Sequence, residues 1–263
     1  SSIVGDDTVI ETPFGERRVT YADYTASGRA LTFIEDFIQS EVMPMYANTH
    51  TESSGTGLQT TRFREDARQI IHDAVGGGDE DVVIFCGSGA TAAINKLVDV
   101  LNIRLPRKLV QQYQLEQHIP PEDRPVVFIG PYEHHSNILP WRESKALVVE
   151  IPEAAEGGVD LAVLELALKQ HAGSDLKIGS FSAASNVTGI GSNTRAISAL
   201  LHRHGALSFW DFAAAGPYVE IEMNMSDDAP DGHLIYKDAI FLSPHKFIGG
   251  PGTPGLLIAK KHL

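Results

Sequence analysis

One cysteine, Cys86, occurs in 263 residues. No disulfide can form within the chain, which argues against a small secreted domain braced by disulfides. Long apolar runs are missing too, and none approaches the ~20 residues that span a bilayer. The first ten residues, SSIVGDDTVI, have neither the basic start nor the apolar stretch of a secretory signal, so the cytoplasm is the expected compartment. Positive charge is scarce. Lys and Arg number 21 against 34 Asp and Glu, a net charge of −13, which argues against nucleic acid and anionic membrane as partners. A local anion site is untouched by that argument, because nearby donors decide it. There are no repeats and no low-complexity tracts.

Short apolar, β-branched runs are plentiful. They lie at 81–85, 125–130, 146–152, 177–183, 207–212, 239–243 and 255–259. Most are continuous rather than alternating, as in strands buried on both faces. Between them, 91–103, 160–173 and 193–205 carry helical patterns, the last two opening on the cap candidates Asp160 and Asn193. Upstream, 28–46 and 60–77 predict two more helices, with a polar loop over 47–59. The stretch 105–125 predicts an exposed, partly helical insertion. Strands alternating with helices predict a mostly parallel sheet covered by helices. The length suits one large α/β domain, or a domain and a half.

In such sheets ligands sit beyond the carboxyl ends of the strands. After 81–85 comes CGSGATAAIN, small residues leading into a helix. Free N–H groups there make a phosphate cradle or simply a tight turn. It is no Walker A loop, since no Gly-Lys-Ser/Thr follows. After 125–130 come His134 and His135, readable as ring partners or loop residues. Adjacent histidines diverge, and no ligand spacing supports a metal, so none is expected. Asn186 follows 177–183 and reads as a ligand contact or a loop-stabilising amide. Asp211 ends 207–211 amid aromatics and alanines, and a buried charge needs a partner. Lys246 stands between two apolar runs beside a glycine-rich turn. A surface lysine is the ordinary reading; a desolvated lysine has a lowered pKa and acts as a nucleophile.

Taken in order, YADYTASG (21–28), YANTH (46–50), GSGATAAIN (87–95), EHHSNILPW (133–141), SNVTG (185–189), DFAAAG (211–216) and SPHKFIGGPGTPG (243–255) resemble the aminotransferase class V superfamily of fold-type I pyridoxal 5′-phosphate enzymes. The resemblance is nearest to the cysteine desulfurase and selenocysteine lyase branch. It implies an α/β fold: a three-layer α/β/α large domain with a mostly parallel seven-stranded sheet. It implies an N-terminal segment and helix over 1–45 and a cofactor-binding large domain over 46–263, with the family's C-terminal small domain absent from the chain. It makes Lys246 the Schiff-base lysine and proton carrier, Asp211 the partner of the pyridine nitrogen, and His134 the ring stacked on the cofactor. Gly89, Ala90, Thr91, Ser243 and His245 would hold the phosphate. Asn186 would lie near the ring hydroxyl or the substrate carboxylate, and His50 on the substrate side. The expected partners are an amino-acid substrate and a second copy of the chain in a homodimer.

Two departures qualify the desulfurase reading. Desulfurases usually have Gln three residues after the pyridine-binding Asp, and Ala214 stands there. The substrate-binding arginine and sulfur-accepting cysteine of relatives belong to the small domain, and Cys86 reads as a small strand-end residue. A class V aminotransferase, epimerase or kynureninase-like enzyme is the alternative. A non-catalytic cofactor- or partner-binding fragment, and a metal hydrolase built on His134, His135 and Asp211, are weaker ones.

Overall fold

A computed structural model describes residues 2–49 and 51–263. The chain forms two compact units. One comprises the residues up to Ile71 together with Pro244–Thr253, the other His72–Ser243 together with Pro254–Leu263.

The first unit opens on a hairpin, β1 (Val9–Thr12) and β2 (Gly15–Arg18), paired antiparallel with Thr12 opposite Gly15. Gly15 takes φ +85°, a left-handed value that glycine adopts without strain. Helix α1 (Thr32–Phe37) continues into a π turn (Ile38–Val42) and a 3-10 turn (Met43–Met45). The single helix expected over 28–46 is therefore shortened at its start and loosened at its end. Leu31 is extended and bridges Ile3, and Pro44 lacks the N–H a continuing helix needs. Helix α2 (Gly55–Ala74) begins inside the stretch expected to be loop. Ser54 Oγ accepts the Gly57 N–H at 3.1 Å, a cap that sets the early start.

The second unit holds the sheet. Its strands are β3 (Asp81–Cys86), β4 (Val126–Ile129), β5 (Leu147–Glu150), β6 (Lys177–Ser182), β7 (Leu207–Asp211), β8 (Ala239–Leu242) and β9 (Gly255–Lys260). Each matches one apolar run. The order is β3-β9-β8-β7-β6-β4-β5, parallel throughout except β9, which is antiparallel to both neighbours. The segment 243–254 holds only a 3-10 turn, no crossover helix, so β9 returns antiparallel. The connecting helices are α3 (Gly89–Val100), α4 (Arg107–Tyr113) in the exposed insertion, α5 (Leu139–Arg142), α6 (Leu161–Gln170) and α7 (Thr194–Arg203).

Side-chain alternation sorts the core into two faces. Val127, Ile129, Phe209, Phe241 and Leu257 pack with Ile94, Leu97 and Val98 of α3 and Trp141 of α5. Phe128 meets His171 at the end of α6, and Trp210 bonds through its indole N–H to Ser198 of α7 at 3.1 Å. Three layers result. Connections running toward β5 use one face and those running back use the other, as right-handed crossovers require. Caps hold the returning helices as expected. Asp160 Oδ1 accepts from Ala162 and Val163, and Asn193 Oδ1 from Ala196.

One buried polar pair fixes α7. Nδ1 of His202 lies 2.6 Å from the Leu234 carbonyl and Nε2 lies 2.8 Å from Asp238 Oδ2. The ring is thus held at both nitrogens. Asp238 also takes the Ser208 N–H at 2.7 Å. Replacing His202 with Ala leaves the buried Asp238 carboxylate and the Leu234 carbonyl without their ring partner, and we expect a loss of about 1–3 kcal/mol in denaturant unfolding. A loss below about 1 kcal/mol would place the pair among weak surface bridges instead.

Candidate functional site

β4, β6, β7 and β8 are mutually parallel, and β3 is parallel to β8 because both are antiparallel to β9. The loops after β3, β4, β6, β7 and β8 therefore share one edge of the sheet, and the residues singled out in this unit lie in them, at a strand's last residue or at a helix start.

After β3 the chain turns into α3 through Gly87 and Ser88. Gly89 is left-handed, φ +59°. A Cβ on Gly255 would stand 2.0 Å from the Gly89 carbonyl, and the Gly255 N–H donates to the Gly87 carbonyl at 2.8 Å. Only glycine allows this approach, which seats the start of α3 on β9. The Ala90 N–H donates to Ser243 Oγ at 2.9 Å. Ser243 follows β8 by one residue and is buried.

Thr91 Oγ1 lies 2.7 Å from Ser136 Oγ, which lies 2.9 Å from His134 Nδ1. The cradle and the histidine are thus joined through Ser136, a link the sequence reading missed. The Ser136 N–H also donates to Nδ1 at 3.2 Å, so a neutral ring carries its proton on Nε2. The His134 and His135 rings are 3.9 Å apart, tilted by 38°. Among the described residues no group of three His, Cys, Asp or Glu is arranged to hold a metal.

Asp211 ends β7, buried, with Oδ1 accepting the Ala213 N–H at 2.8 Å. Its register partners are Ser182 on β6 and Phe241 on β8. The structure thus brings Gly89, Ala90, Thr91 and Ser243 together, joins Thr91 to His134, and sets Asp211 on the same edge. Asn186 lies on that edge as well, exposed in the turn over Ser185–Gly189, whose bonds are made by Ser185 rather than by its amide.

Glu133, also missed, lies at the heart of this edge. Burial pushes its carboxyl from 4.5 up to about 7, the charge of Asp211 adds to the rise, and hydrogen bonds from Asn137 and Ser182 oppose it. Cys86 is half-buried, and burial raises its thiol above the usual range, which makes it a poor nucleophile near neutrality.

In the other unit, Lys246 ends the 3-10 turn Pro244–Lys246 and is half-buried. The turn is clamped by backbone. The Gly28 N–H donates to the His245 carbonyl at 2.8 Å and the Gly249 N–H to the Arg29 carbonyl at 2.7 Å. A Cβ on Gly28 would come 1.9 Å from the Phe247 carbonyl, and one on Gly250 1.9 Å from that of Pro244. The YADYTASG and IGGPG motifs thus supply the glycines that hold the lysine turn. Burial and the neighbouring Lys246 charge lower the His245 pKa. His50 lies outside the described residues.

This strand-end set suits a ligand that is anionic at one end and carries a cationic or hydrogen-donating group at the other. A helix start lined by Gly89, Ala90 and Thr91, with the Ser243 hydroxyl, suits a phosphate. A buried carboxylate, Asp211, suits a cation or donor. The Aminotransferase class-V family model matches residues 20–263. The chain belongs to that family. A probable cysteine desulfurase of Staphylococcus aureus is 24% identical over 267 residues, covering 100% of this chain and 57% of its own length. One of Halalkalibacterium halodurans is 24% identical over 249 residues, covering 93% and 54%. This class-V chain therefore spans little more than half of these curated relatives. Among solved structures, a NifS-like protein from Rickettsia africae superposes with TM-score 0.70 at 21% identity, over 92% of this chain and 58% of its own. The apo cysteine desulfurase of Thermococcus onnurineus gives 0.68 at 20%, over 92% and 53%. These likenesses show the fold.

A carboxyl whose folded pKa is raised adds stability below its unfolded pKa and loses it as pH rises through the folded value. The stability of wild type relative to Glu133→Gln should therefore fall between pH 4.5 and 8 by at most about 3 kcal/mol. Denaturant unfolding at several pH values measures this. A difference that rises with pH would contradict a carboxyl whose pKa burial raises.

Proposed function

We propose that the protein is a pyridoxal 5′-phosphate enzyme acting on an amino acid, desulfurase-like in its chemistry. The carrying observation is the shared strand-end edge, where an anion-binding helix start joined to His134 accompanies the buried carboxylate of Asp211. When bound, the cofactor supplies an electron sink for a carbanion at the substrate α-carbon.

Asp211 holds the proton on the ring nitrogen, and the Ala213 N–H keeps its carboxylate aimed. His134, fixed through Nδ1 by Ser136, offers its ring face for stacking. Gly89, Ala90, Thr91, Ser243 and His245 bind the phosphate, and the lowered pKa of His245 favours its neutral form there. Lys246 would hold the cofactor covalently, and its amine would move the α-proton as base and then acid. Its clamped turn supports that role by fixing where the side chain starts. Asn186 contacts the ring hydroxyl or the substrate carboxylate, and His50 the substrate side. In this reading residues 46–263 are the cofactor-binding domain.

We also read the protein as a cytoplasmic homodimer. Phe33, Phe37, Met43, Tyr46 and Ile70 are exposed on the first unit, large apolar side chains that a second copy would cover. No helix among the described residues is long and apolar enough to cross a membrane.

Ala214 and the weakly acidic thiol of Cys86 favour a second reading, a class V aminotransferase or epimerase. Sulfide release on incubation with cysteine separates the two. For the cofactor itself, borohydride reduction of the pyridoxal phosphate-loaded protein should fix a pyridoxyl group onto Lys246, located by peptide mass. Lys246→Ala should yield no comparable adduct, and an equal yield at another lysine would sink the assignment.

A further inference from the structure

Everything around the Glu133 carboxyl offers it hydrogen. Oε1 accepts the Ser182 N–H at 2.9 Å and the Gly130 N–H at 3.3 Å. Oε2 accepts the Ser182 hydroxyl at 2.8 Å and the Asn137 amide at 2.6 Å. That amide has one possible orientation. Asn137 Oδ1 takes the Trp141 indole N–H at 3.1 Å and the Ser180 hydroxyl at 2.6 Å, and an indole nitrogen only donates. Nδ2 must therefore face Glu133 and the Ser180 carbonyl, the latter at 3.2 Å. Apart from the Ser182 hydroxyl, which can rotate, every partner of Glu133 is an obligate donor. A glutamine would turn an NH₂ against one of them and leave a buried donor unmet.

These bonds join the parts that carry His134 and Asp211. Asn137 closes the turn begun by His134, its N–H donating to the His134 carbonyl at 2.8 Å. Ser182 is the register partner of Asp211, and the Ala183 N–H donates to the Asp211 carbonyl at 2.9 Å. Gly130 follows β4, and a Cβ there would already crowd Glu133 Oε1 at 3.1 Å. The Glu133 carboxyl, beside the Asn137–Ser180 bonds, ties the His134 turn to the β6–β7 pair.

We propose that Glu133 is a positioning residue for the cofactor: it fixes the His134 ring and the Asp211 carboxylate at one mutual spacing and acts through them. The proposal rests on the pyridoxal phosphate reading and adds a residue to it.

The test loads wild type, Glu133→Gln and Ser182→Ala with pyridoxal phosphate. It compares the visible absorption and circular dichroism bands and the rate of cofactor loss, with thermal unfolding of each protein alongside. Glu133→Gln should lose cofactor about tenfold faster and show a weaker dichroic band per unit of absorbance. Ser182→Ala removes one of the four bonds and keeps the backbone donor, so it should shift both readouts in the same direction by less. A role confined to stability would move the unfolding temperature and leave the dichroism of bound cofactor unchanged. Superimposable bands and equal loss rates in folded Glu133→Gln overturn the proposal. If that variant does not fold, unchanged bands and loss rates in Ser182→Ala overturn it. A wild type that gives no visible band overturns the cofactor reading itself, and the proposal with it.

Discussion

Burial of a parallel sheet on both faces is the constraint on which the rest depends. Phe209 and Phe241 point to α3 and Trp141, while Phe181 and Trp210 point to the other face, where the Trp210 indole bonds to α7. Apolar side chains fill the strands on both sides, so polar groups collect where strands end. Those ends fall on one edge because the strands, β9 apart, run the same way. Asp211, Ser243, Glu133 and the Gly89 turn are each a strand-end residue or follow one closely. The chemistry is concentrated by topology before any particular residue is chosen.

Within that edge, close backbone approach does work that side chains could not. Gly255 lets β9 lie against the Gly89 carbonyl, and in the other unit Gly28 and Gly250 let the lysine turn be gripped by main-chain bonds. A lysine on a long flexible stem is useful as a nucleophile only if its backbone origin is fixed, and glycine-mediated contacts provide that fixity. The hydroxyls of Thr91, Ser136 and Ser243 then stitch helix start, histidine turn and strand end together.

Much of this was legible in the sequence, for local reasons. The seven strands read as apolar runs, and Asp160 and Asn193 mark the helix starts they cap. The residues proposed for the cofactor were singled out through motif order, since each alone has an ordinary reading. What stayed hidden depends on distance or exposure. The β1–β2 hairpin is exposed almost throughout and so shows no buried face. Helix α2 starts on Gly55, a poor helix former, and its Ser54 cap was read as loop. Ser136 and Glu133 sit inside a quoted motif, yet their partners are Thr91 and Ser182, far away in sequence, so only the fold assigns them work.

The central claim is that the protein binds pyridoxal phosphate and holds it covalently on Lys246. Absorbance titration of the purified protein with pyridoxal phosphate tests it most directly. The account predicts a visible band that saturates at one cofactor per chain. Non-saturating growth of absorbance, equal in wild type and Lys246→Ala, is the signature of scattered surface lysines and would contradict it.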